Sequence, residues 1–434
     1  MILRYAKSAG FQILEKLIRL PVSLLISIYV ANHLGPELLG VLNFSHMFIL
    51  MFLVFSSFGI DNIIYKDLVK SSPPETSKIL INAIAIRFFG AILTGFLIAI
   101  SVVFFIEGKN EKNLILIFSF IIIFSSLLPL DILLQSKGNG KLKSIITLSS
   151  FFISTLVKLL IIKLNYTFEY LALAIVLENI VQFLILFIYA KKSHLSFSFK
   201  QLDFKFIKAL LKDSFPIFLS IFIISIYTKV DTFMIKHFMN DYSVGNYSIA
   251  IKLSELTSFV PVVLIGGIFP YIIKLKEKGE KVYREGLEVF LFLIYVVCFL
   301  MALFVTLFSE SIIDTLYGAD YLSASYSLSI LCWSTLFQVF GSYTTNWLVN
   351  EGLQRYRLYR TVLGLVVNIF LNLILIPKYG ISGAAIATLL SQVFASYIGN
   401  VISKNTILMF KIQSRVIIFY PLIRIISNFL ILRK

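Results

Sequence analysis

The sequence predicts an all-α polytopic membrane protein with about twelve transmembrane helices. Of its 434 residues, 58% are hydrophobic and only 14% are charged, and the mean hydropathy is +0.91. Soluble globular proteins carry about 25% charged residues. So much apolar surface cannot be hidden in a water-soluble core, and the solvent of this chain must therefore be largely lipid.

Apolar segments of membrane-spanning length follow one another along the whole chain. A helix needs about 20 apolar residues to cross the hydrocarbon core. The segments that meet this requirement are approximately 11–32, 39–64, 79–105, 114–136, 144–163, 168–190, 211–236, 246–273, 286–308, 322–349, 358–376 and 381–403. We interpret the first as an uncleaved span and not a signal peptide, because Glu15 and Arg19 interrupt it and no small-residue cleavage site follows.

Lysine and arginine are distributed unevenly between alternate connections. With the N-terminus inside, the inner connections and termini carry 29 of them and the outer connections carry 5. Such a bias predicts that both termini are cytoplasmic. The net charge of +16 therefore reflects the orientation of the chain in the membrane. Nucleic-acid binding is not expected.

The chain also repeats itself in two halves. A short polar turn before Gly40 opens the second span, and a similar turn before Gly245 opens the eighth. This repeat predicts two parallel six-helix lobes, a plan typical of secondary transporters. We expect an N-terminal lobe at 1–192, a basic cytoplasmic linker at 193–210, a C-terminal lobe at 211–404 and a cytoplasmic or interfacial tail at 405–434.

Three stretches of sequence carry a family resemblance. They are "ANHLGPELLGVLNFSHMF", "YTKVDTFMIKHFMNDYSVGNYSIAIKLSE" and "LVVNIFLNLILIPKYGISGAAIATLLSQ". They resemble the Wzx-type O-antigen and polysaccharide flippases of the multidrug/oligosaccharidyl-lipid/polysaccharide exporter superfamily. The resemblance implies a MATE-like V of two lobes in the bacterial inner membrane. It implies an O-antigen transporter of lipopolysaccharide biosynthesis, which flips undecaprenyl-diphosphate-linked repeat units from the cytoplasmic to the periplasmic leaflet.

The expected partners follow from that resemblance. They are the lipid-linked oligosaccharide, membrane lipids, H⁺ or Na⁺ as the coupling ion, and a polymerase with its chain-length regulator. No cofactor or metal is expected, since Cys298 and Cys332 lie in apolar runs and the four His lack ligand spacing. No P-loop occurs, so ATP is not the direct energy source.

Two other functions remain open at this stage. A drug or organic-cation exporter of the same superfamily would need acidic residues in its cavity, whereas the first lobe offers Arg19, Arg87 and Lys158. An integral-membrane polysaccharide polymerase would need a sizeable outer loop with catalytic groups, and the outer loops here are short. We therefore predict a transporter and not an enzyme.

Charged residues inside the spans are the candidate site residues, because a charge at a helix centre costs about 2.5–3.5 kcal/mol on insertion scales. The candidates for binding an anionic substrate are Arg19, Arg87, Lys158, Lys229 and Lys252. The candidates for ion coupling are Glu178, Asp61, Asp231 and Glu255.

Each candidate also has a structural alternative, in which it pairs with an opposite charge. Counting residues from the shared turn of the seventh and eighth spans predicts the pairs Asp231–Lys252 and Lys229–Glu255.

In the first lobe, Arg19 and Asp61 lie near the inner face and could pair. Arg87 and Lys158 have no acidic residue within four positions on their own helices, so their partners would be Glu178 or Asp131.

Overall fold

The chain folds almost entirely into α-helices. A computed structural model describes residues 2–192 and 199–421, and no β-strand occurs in these ranges. The helices are α1 (Ile2–Ser57), α2 (Asp61–Lys70), α3 (Pro73–Phe105), α4 (Lys109–Phe124), α5 (Leu128–Ser136), α6 (Gly140–Lys163), α7 (Phe168–Lys192), α8 (Phe204–Tyr227), α9 (Val230–Phe238), α10 (Asp241–Leu275), α11 (Glu280–Tyr317), α12 (Ala324–Asn350), α13 (Arg355–Ser396) and α14 (Ile407–Ile417). The predicted all-α class is confirmed.

Within the described residues, nine helical segments are long and apolar enough to cross a membrane. Two of them contain a break at a glycine. Gly35 in α1 has φ 73° and Gly380 in α13 has φ 58°, a region of backbone space that glycine occupies readily. Each of these helices therefore consists of two consecutive rods, which match two predicted spans apiece. The other seven segments match one predicted span each, and α12 matches the predicted tenth span. All twelve predicted segments are thus accounted for, as expected for a multi-pass membrane protein.

Large apolar side chains cover much of the helix surface. On α3 alone, Phe89, Phe104 and Phe105 are 69%, 75% and 79% exposed. Soluble monomers rarely present contiguous apolar patches of this kind. The exposed phenylalanines are thus suited to contact with lipid.

The chain forms two compact units, Met1–Lys229 and Val230–Lys434. The division falls inside the predicted seventh span, at the turn between α8 and α9. The predicted boundary at residue 211 places most of α8 in the C-terminal lobe, whereas α8 packs within the first unit. Residues 193–198 of the predicted linker and 422–434 of the predicted tail lie outside the described residues.

The core of the first unit joins helices that are distant in sequence. Ile64 of α2, Leu80 of α3, Leu134 of α5, Leu186 of α7 and Leu210 of α8 belong to one buried cluster. Burying a leucine or isoleucine side chain is worth about 1.5–3 kcal/mol relative to leaving it in water. Because lipid tails are themselves apolar, close packing and shape matter more here than burial itself.

The second unit incorporates part of the predicted tail. Met409, Gln413 and Val416 of α14 are fully buried, and the Gln413 amide donates to Thr344 Oγ1 at 2.9 Å and accepts from Asn400 Nδ2 at 2.9 Å. We expected residues 405–434 to form an interfacial segment. The described part packs against α11 and α12, where its apolar face and buried glutamine find partners. The cytoplasmic or interfacial placement of 405–434 stays a prediction.

A glycine sets the closest approach between α1 and α3. A Cβ added at Gly90 would lie 2.6 Å from the carbonyl oxygen of Ser56, whereas one added at Gly95 would meet nothing within 4 Å. Small residues at helix interfaces in membranes let backbones approach in this way. Gly90 is therefore required for packing, and Gly95 is not.

We predict that Gly90→Ala destabilises the protein by about 1–3 kcal/mol, because backbone atoms must move to admit the methyl group. The matched variant Gly95→Ala on the same helix should leave stability unchanged or raise it by at most about 1 kcal/mol. Thermal unfolding of the purified protein in detergent measures both. Equal effects of the two substitutions would contradict this packing account.

Candidate functional site

The predicted seventh span is broken in its polar part. Helix α8 ends at Tyr227, a turn covers Thr228 and Lys229, and α9 begins at Val230. Asp231 lies in the first turn of α9, where the backbone N–H groups carry partial positive charge that favours a carboxylate. Broken helices of this type line ion and substrate sites in transporters.

The Asp231 carboxylate is buried and receives hydrogen bonds from neutral side chains. Asp231 is 9% exposed. Asn372 donates to Oδ1 at 2.6 Å, Tyr247 donates to Oδ2 at 3.1 Å, and Thr388 also donates to Oδ2. Lys252 was the expected partner, and the donors that the structure shows are neutral instead. These contacts satisfy the oxygens without neutralising their charge.

The fold of α13 brings two of these donors together. Asn372 lies before the break at Gly380 and Thr388 lies after it. A Cβ added at Gly383 would collide with the backbone of Leu375, so the two rods of α13 meet closely at this point. The break at Gly380 and the missing side chain at Gly383 thus allow both rods to reach one carboxylate.

Two buried amides complete the cluster. Asn372 Nδ2 also donates to Asn368 Oδ1 at 3.1 Å, and both asparagines are at most 1% exposed. In the described part of the chain, Asn372 Oδ1 and Asn368 Nδ2 have no hydrogen-bond partner. Buried amide groups without a partner are rare in folded proteins. We call Asp231, Tyr247, Asn368, Asn372 and Thr388 the Asp231 cluster.

The chemistry of the Asp231 cluster suits a small hard cation or a proton. A carboxylate, amide oxygens and hydroxyl oxygens are the ligands that hard cations prefer. The unused Asn372 Oδ1 is a further oxygen that a cation could use. A carboxylate held in a low-dielectric site by neutral groups alone is costly, and binding a cation or a proton removes that cost.

In the first unit, Arg87 is paired with Asp61. Arg87 Nη2 donates to Asp61 Oδ1 and Oδ2 at 2.6 and 2.7 Å, and its Nη1 donates to the carbonyl of Ser125 at 3.2 Å. Arg87 is 3% exposed. The sequence predicted Glu178 or Asp131 as its partner, which is wrong because depth and helix rotation place Asp61 beside it.

Arg19 is paired with Glu178, and not with Asp61 as predicted. The Arg19 side chain is 39% exposed and lies over the ring of Phe151, at 5.1 Å from the ring centroid. This guanidinium is thus an accessible cation within a span, with its charge balanced by one carboxylate. Asp131 pairs with Lys143 at 3.1 Å.

Among the other predicted residues, Lys158, Lys229 and Lys252 are half-buried and Glu255 is exposed. Asp231 and Lys229 fall in different compact units. The Lys229–Glu255 pair and the substrate-binding roles of the three lysines stay predictions.

Comparison with known proteins places the chain in a family. Residues 5–276 match the family described as "Polysaccharide biosynthesis protein", and residues 216–374 also match the family described as "MatE". The first match covers well over half of the chain. The protein belongs to the polysaccharide biosynthesis protein family.

Two archaeal relatives are similar in sequence. An uncharacterized membrane protein of Methanocaldococcus jannaschii is 24% identical over 417 residues, which cover 88% of this chain and 80% of that protein. "Probable flippase AglR" of Haloferax volcanii is 28% identical over 180 residues, which cover 39% of this chain and 36% of that protein.

Solved structures share the fold. The lipid II flippase MurJ in an inward closed conformation has a TM-score of 0.74 at 18% identity, over 96% of this chain and 92% of that one. An inward-facing MATE family transporter of the MOP superfamily has a TM-score of 0.67 at 13% identity, over 92% of this chain and 94% of that one. Together with the two family matches, this shared fold confirms the resemblance to the multidrug/oligosaccharidyl-lipid/polysaccharide superfamily.

Sequence reasoning about this family member missed three residues of the Asp231 cluster. Asn368, Asn372 and Thr388 all lie in the stretch "NIFLNLILIPKYGISGAAIAT", which was used only for resemblance. The signal was available, because asparagines four residues apart share one face of a helix. Uncharged polar residues in an apolar span can hydrogen-bond across helices, as charged ones can.

We predict that Asp61→Asn destabilises the protein by about 2 kcal/mol, because it leaves the buried Arg87 guanidinium without a counter-charge. The loss should be smaller than the roughly 3–5 kcal/mol typical of a fully buried pair, since the Asp61 side chain is 42% exposed. Unfolding in detergent measures it.

The control is Glu280→Gln, which breaks the exposed pair with Arg284 and should cost less than about 1 kcal/mol. The double variant Arg87→Met/Asp61→Asn should recover much of the lost stability. If the double variant is as unstable as Asp61→Asn alone, the buried charge is not the cause.

Proposed function

We propose that this protein is a flippase that moves a lipid-linked oligosaccharide across the membrane by ion-coupled alternating access. The observation that carries the proposal is the family match over residues 5–276, which ties a multi-pass membrane protein to polysaccharide synthesis. Similarity to the "Probable flippase AglR" of Haloferax volcanii and the fold shared with a lipid II flippase support it.

The finer form of the proposal follows from the family resemblance. The cargo would be an undecaprenyl-diphosphate-linked O-antigen repeat, taken from the cytoplasmic to the periplasmic leaflet of the inner membrane. Both termini would be cytoplasmic, and a polymerase with its chain-length regulator would use the product. The excess of lysine and arginine in alternate connections supports this orientation.

Arg19 is the residue best suited to the diphosphate of such a cargo. Its guanidinium is accessible and carries a planar fork of N–H donors that matches phosphate oxygens. Glu178 balances its charge while no phosphate is bound. We assign Arg87 a different role, that of holding the first unit together, because it is buried and donates to Asp61 and to the carbonyl of Ser125.

The Asp231 cluster is our candidate for ion coupling. Its carboxylate is buried among neutral donors, and Asn372 offers an unused oxygen. Binding of Na⁺ or H⁺ would neutralise Asp231 and change the hydrogen bonds that link α9, α10 and the two rods of α13. Energy from an ion gradient could enter the transport cycle at this point.

We predict that loss of the protein causes lipid-linked repeat units to accumulate in the cytoplasmic leaflet. In a strain that makes the polysaccharide, the gene is deleted and the units are measured by a leaflet-resolved assay. Restoring wild-type protein should restore flipping. Arg19→Ala should restore it roughly tenfold less well, as expected for a lost charge-assisted hydrogen bond of about 1.5 kcal/mol.

Two controls accompany this experiment. Arg284→Ala removes an exposed arginine from another region and should flip normally. Arg19→Lys keeps a charge for Glu178 but loses the fork, so it should flip at an intermediate rate. Normal translocation in the deletion strain, with unlinked units accumulating outside, would replace the flippase assignment with a polymerase.

We also predict that Asp231→Asn abolishes the response of the protein to its coupling ion. If the ion is Na⁺, thermal stability of the wild type should rise when Na⁺ replaces choline at constant ionic strength. A ligand at 100 times its Kd stabilises a protein by about 2.7 kcal/mol. If the ion is H⁺, flipping in proteoliposomes should depend on a pH gradient and not on Na⁺.

The matched control is Asp314→Asn, which removes an exposed carboxylate from α11 of the same unit and should respond as the wild type does. An Asp231→Asn protein that keeps the full Na⁺ or pH response would remove the Asp231 cluster from the coupling mechanism. The flippase assignment itself would stand, because the leaflet assay tests it separately.

A further inference from the structure

The first unit contains a basic cavity lined by none of the candidate site residues discussed so far. It has a volume of about 570 Å³ and is formed by the first turns of α3 and the segment that leads into α8. Lys78, Lys200 and Lys205 line it together with a single acidic residue, Asp203, and the aromatic Phe204. We call it the linker cavity.

Asp203 is committed to the local structure. Its Oδ1 accepts from the backbone N–H groups of Lys205 and Phe206 at 2.9 and 3.1 Å, so it caps the N-terminus of α8. Its Oδ2 accepts from Lys78 Nζ at 2.8 Å. The Lys78 bond and the backbone bonds lower the pKa of Asp203. This carboxylate therefore stays ionised, and its hydrogen bonds hold the cavity wall.

A buried asparagine fixes the other side of the same wall. Asn82 of α3 is 0% exposed. Its Nδ2 donates to the carbonyl of Gln201 at 3.0 Å, and its Oδ1 accepts from the backbone N–H of Asp203 at 2.9 Å. The main chain of segment 201–203 is thus fastened to α3 by the Asn82 side chain, and the cavity is a built feature of the fold.

The charge of the cavity favours an anion. Three lysines and one carboxylate line the cavity, and that carboxylate is already engaged by Lys78 and the α8 N-terminus. Lys200 and Lys205 are exposed. An anion placed here would meet both ammonium groups at a small cost in desolvation, since the cavity is open to solvent.

A neighbouring aromatic residue points to a lipid source for that anion. Phe204 is 80% exposed and adjoins the lysines at the start of a membrane-spanning helix. Aromatic and basic residues together at a helix end are typical of the membrane interface. Basic pockets between transmembrane helices bind phosphate-bearing headgroups.

We propose that the linker cavity binds the phosphate of an anionic phospholipid headgroup, with Lys200 and Lys205 as its main contacts and Phe204 in the adjoining acyl region. The bound lipid is a resident of the membrane and not the transported cargo. The cavity lies beside the segment that joins the predicted halves of the chain, so a headgroup there would help hold that segment on α3.

The test measures lipid binding to the full-length protein. Purified protein in detergent is titrated with short-chain phosphatidylglycerol or short-chain phosphatidylcholine, and binding is followed by native mass spectrometry. The wild type should prefer the anionic lipid, and the preference should weaken with added salt. The variant Lys200→Gln/Lys205→Gln should bind it roughly 30-fold more weakly, from about 1 kcal/mol for each lysine. Lys78 is left intact because it supports Asp203.

The matched control is Lys274→Gln/Lys278→Gln, which removes two exposed lysines from another basic connection and should bind phosphatidylglycerol as the wild type does. Equal loss in both double variants would overturn the proposal, because it would show a general effect of charge. Displacement of the lipid by an equal concentration of inorganic phosphate would overturn the assignment to a headgroup. Normal flipping with lost lipid binding would support a site separate from the cargo path.

Discussion

The absence of water from the hydrocarbon core is the constraint on which the rest of the structure depends. A charge inside a span must face a partner in the protein or a water-filled cavity, since leaving it in lipid costs several kcal/mol. The first unit meets this constraint with ion pairs between helices, of which Arg87–Asp61, Arg19–Glu178 and Asp131–Lys143 are examples. These pairs fix the depth and rotation of the helices that carry them, so they help to specify how the helices pack.

The Asp231 cluster meets the same constraint in another way. Here two amides and two hydroxyls surround a carboxylate, and the contacts that hold it carry no positive charge. Such an arrangement supplies hydrogen bonds but leaves the charge in place. A group held in this condition is poised to take up a cation, which an ion pair is not. We therefore assign the Arg87–Asp61 and Asp131–Lys143 pairs to structure and the Asp231 cluster to candidate function.

Backbone breaks are what make the cluster possible. Residues 211–236 or 358–396 could not build this cluster as one continuous helix, because a continuous helix does not change direction. The turn at Thr228–Lys229 gives α9 its own N-terminus, with Asp231 in the first turn. The break at Gly380 divides α13 so that both of its rods contact the same carboxylate. Freed backbone groups at such breaks are tolerated where the surrounding protein satisfies them. The positions that weaken the helices locally are thus also the positions that bring the polar side chains together.

The sequence by itself determined that lipid surrounds most of this protein, that its fold is all-α and how many spans it has. Hydropathy and helix length are sums over neighbouring residues, so they can be counted along the chain without knowing what packs against what. The sequence also marked Asp231 and Arg87 as unusual, because each is a charge in an apolar segment. Only the tertiary structure decided their partners. Which side chains meet depends on the rotation and depth of separate helices. A small error in either quantity gives Arg87 the partner Glu178 in place of Asp61, or gives Asp231 a lysine in place of Asn372. The burial of α14 and the linker cavity belong to the same class, since both arise from contacts between segments far apart in the chain.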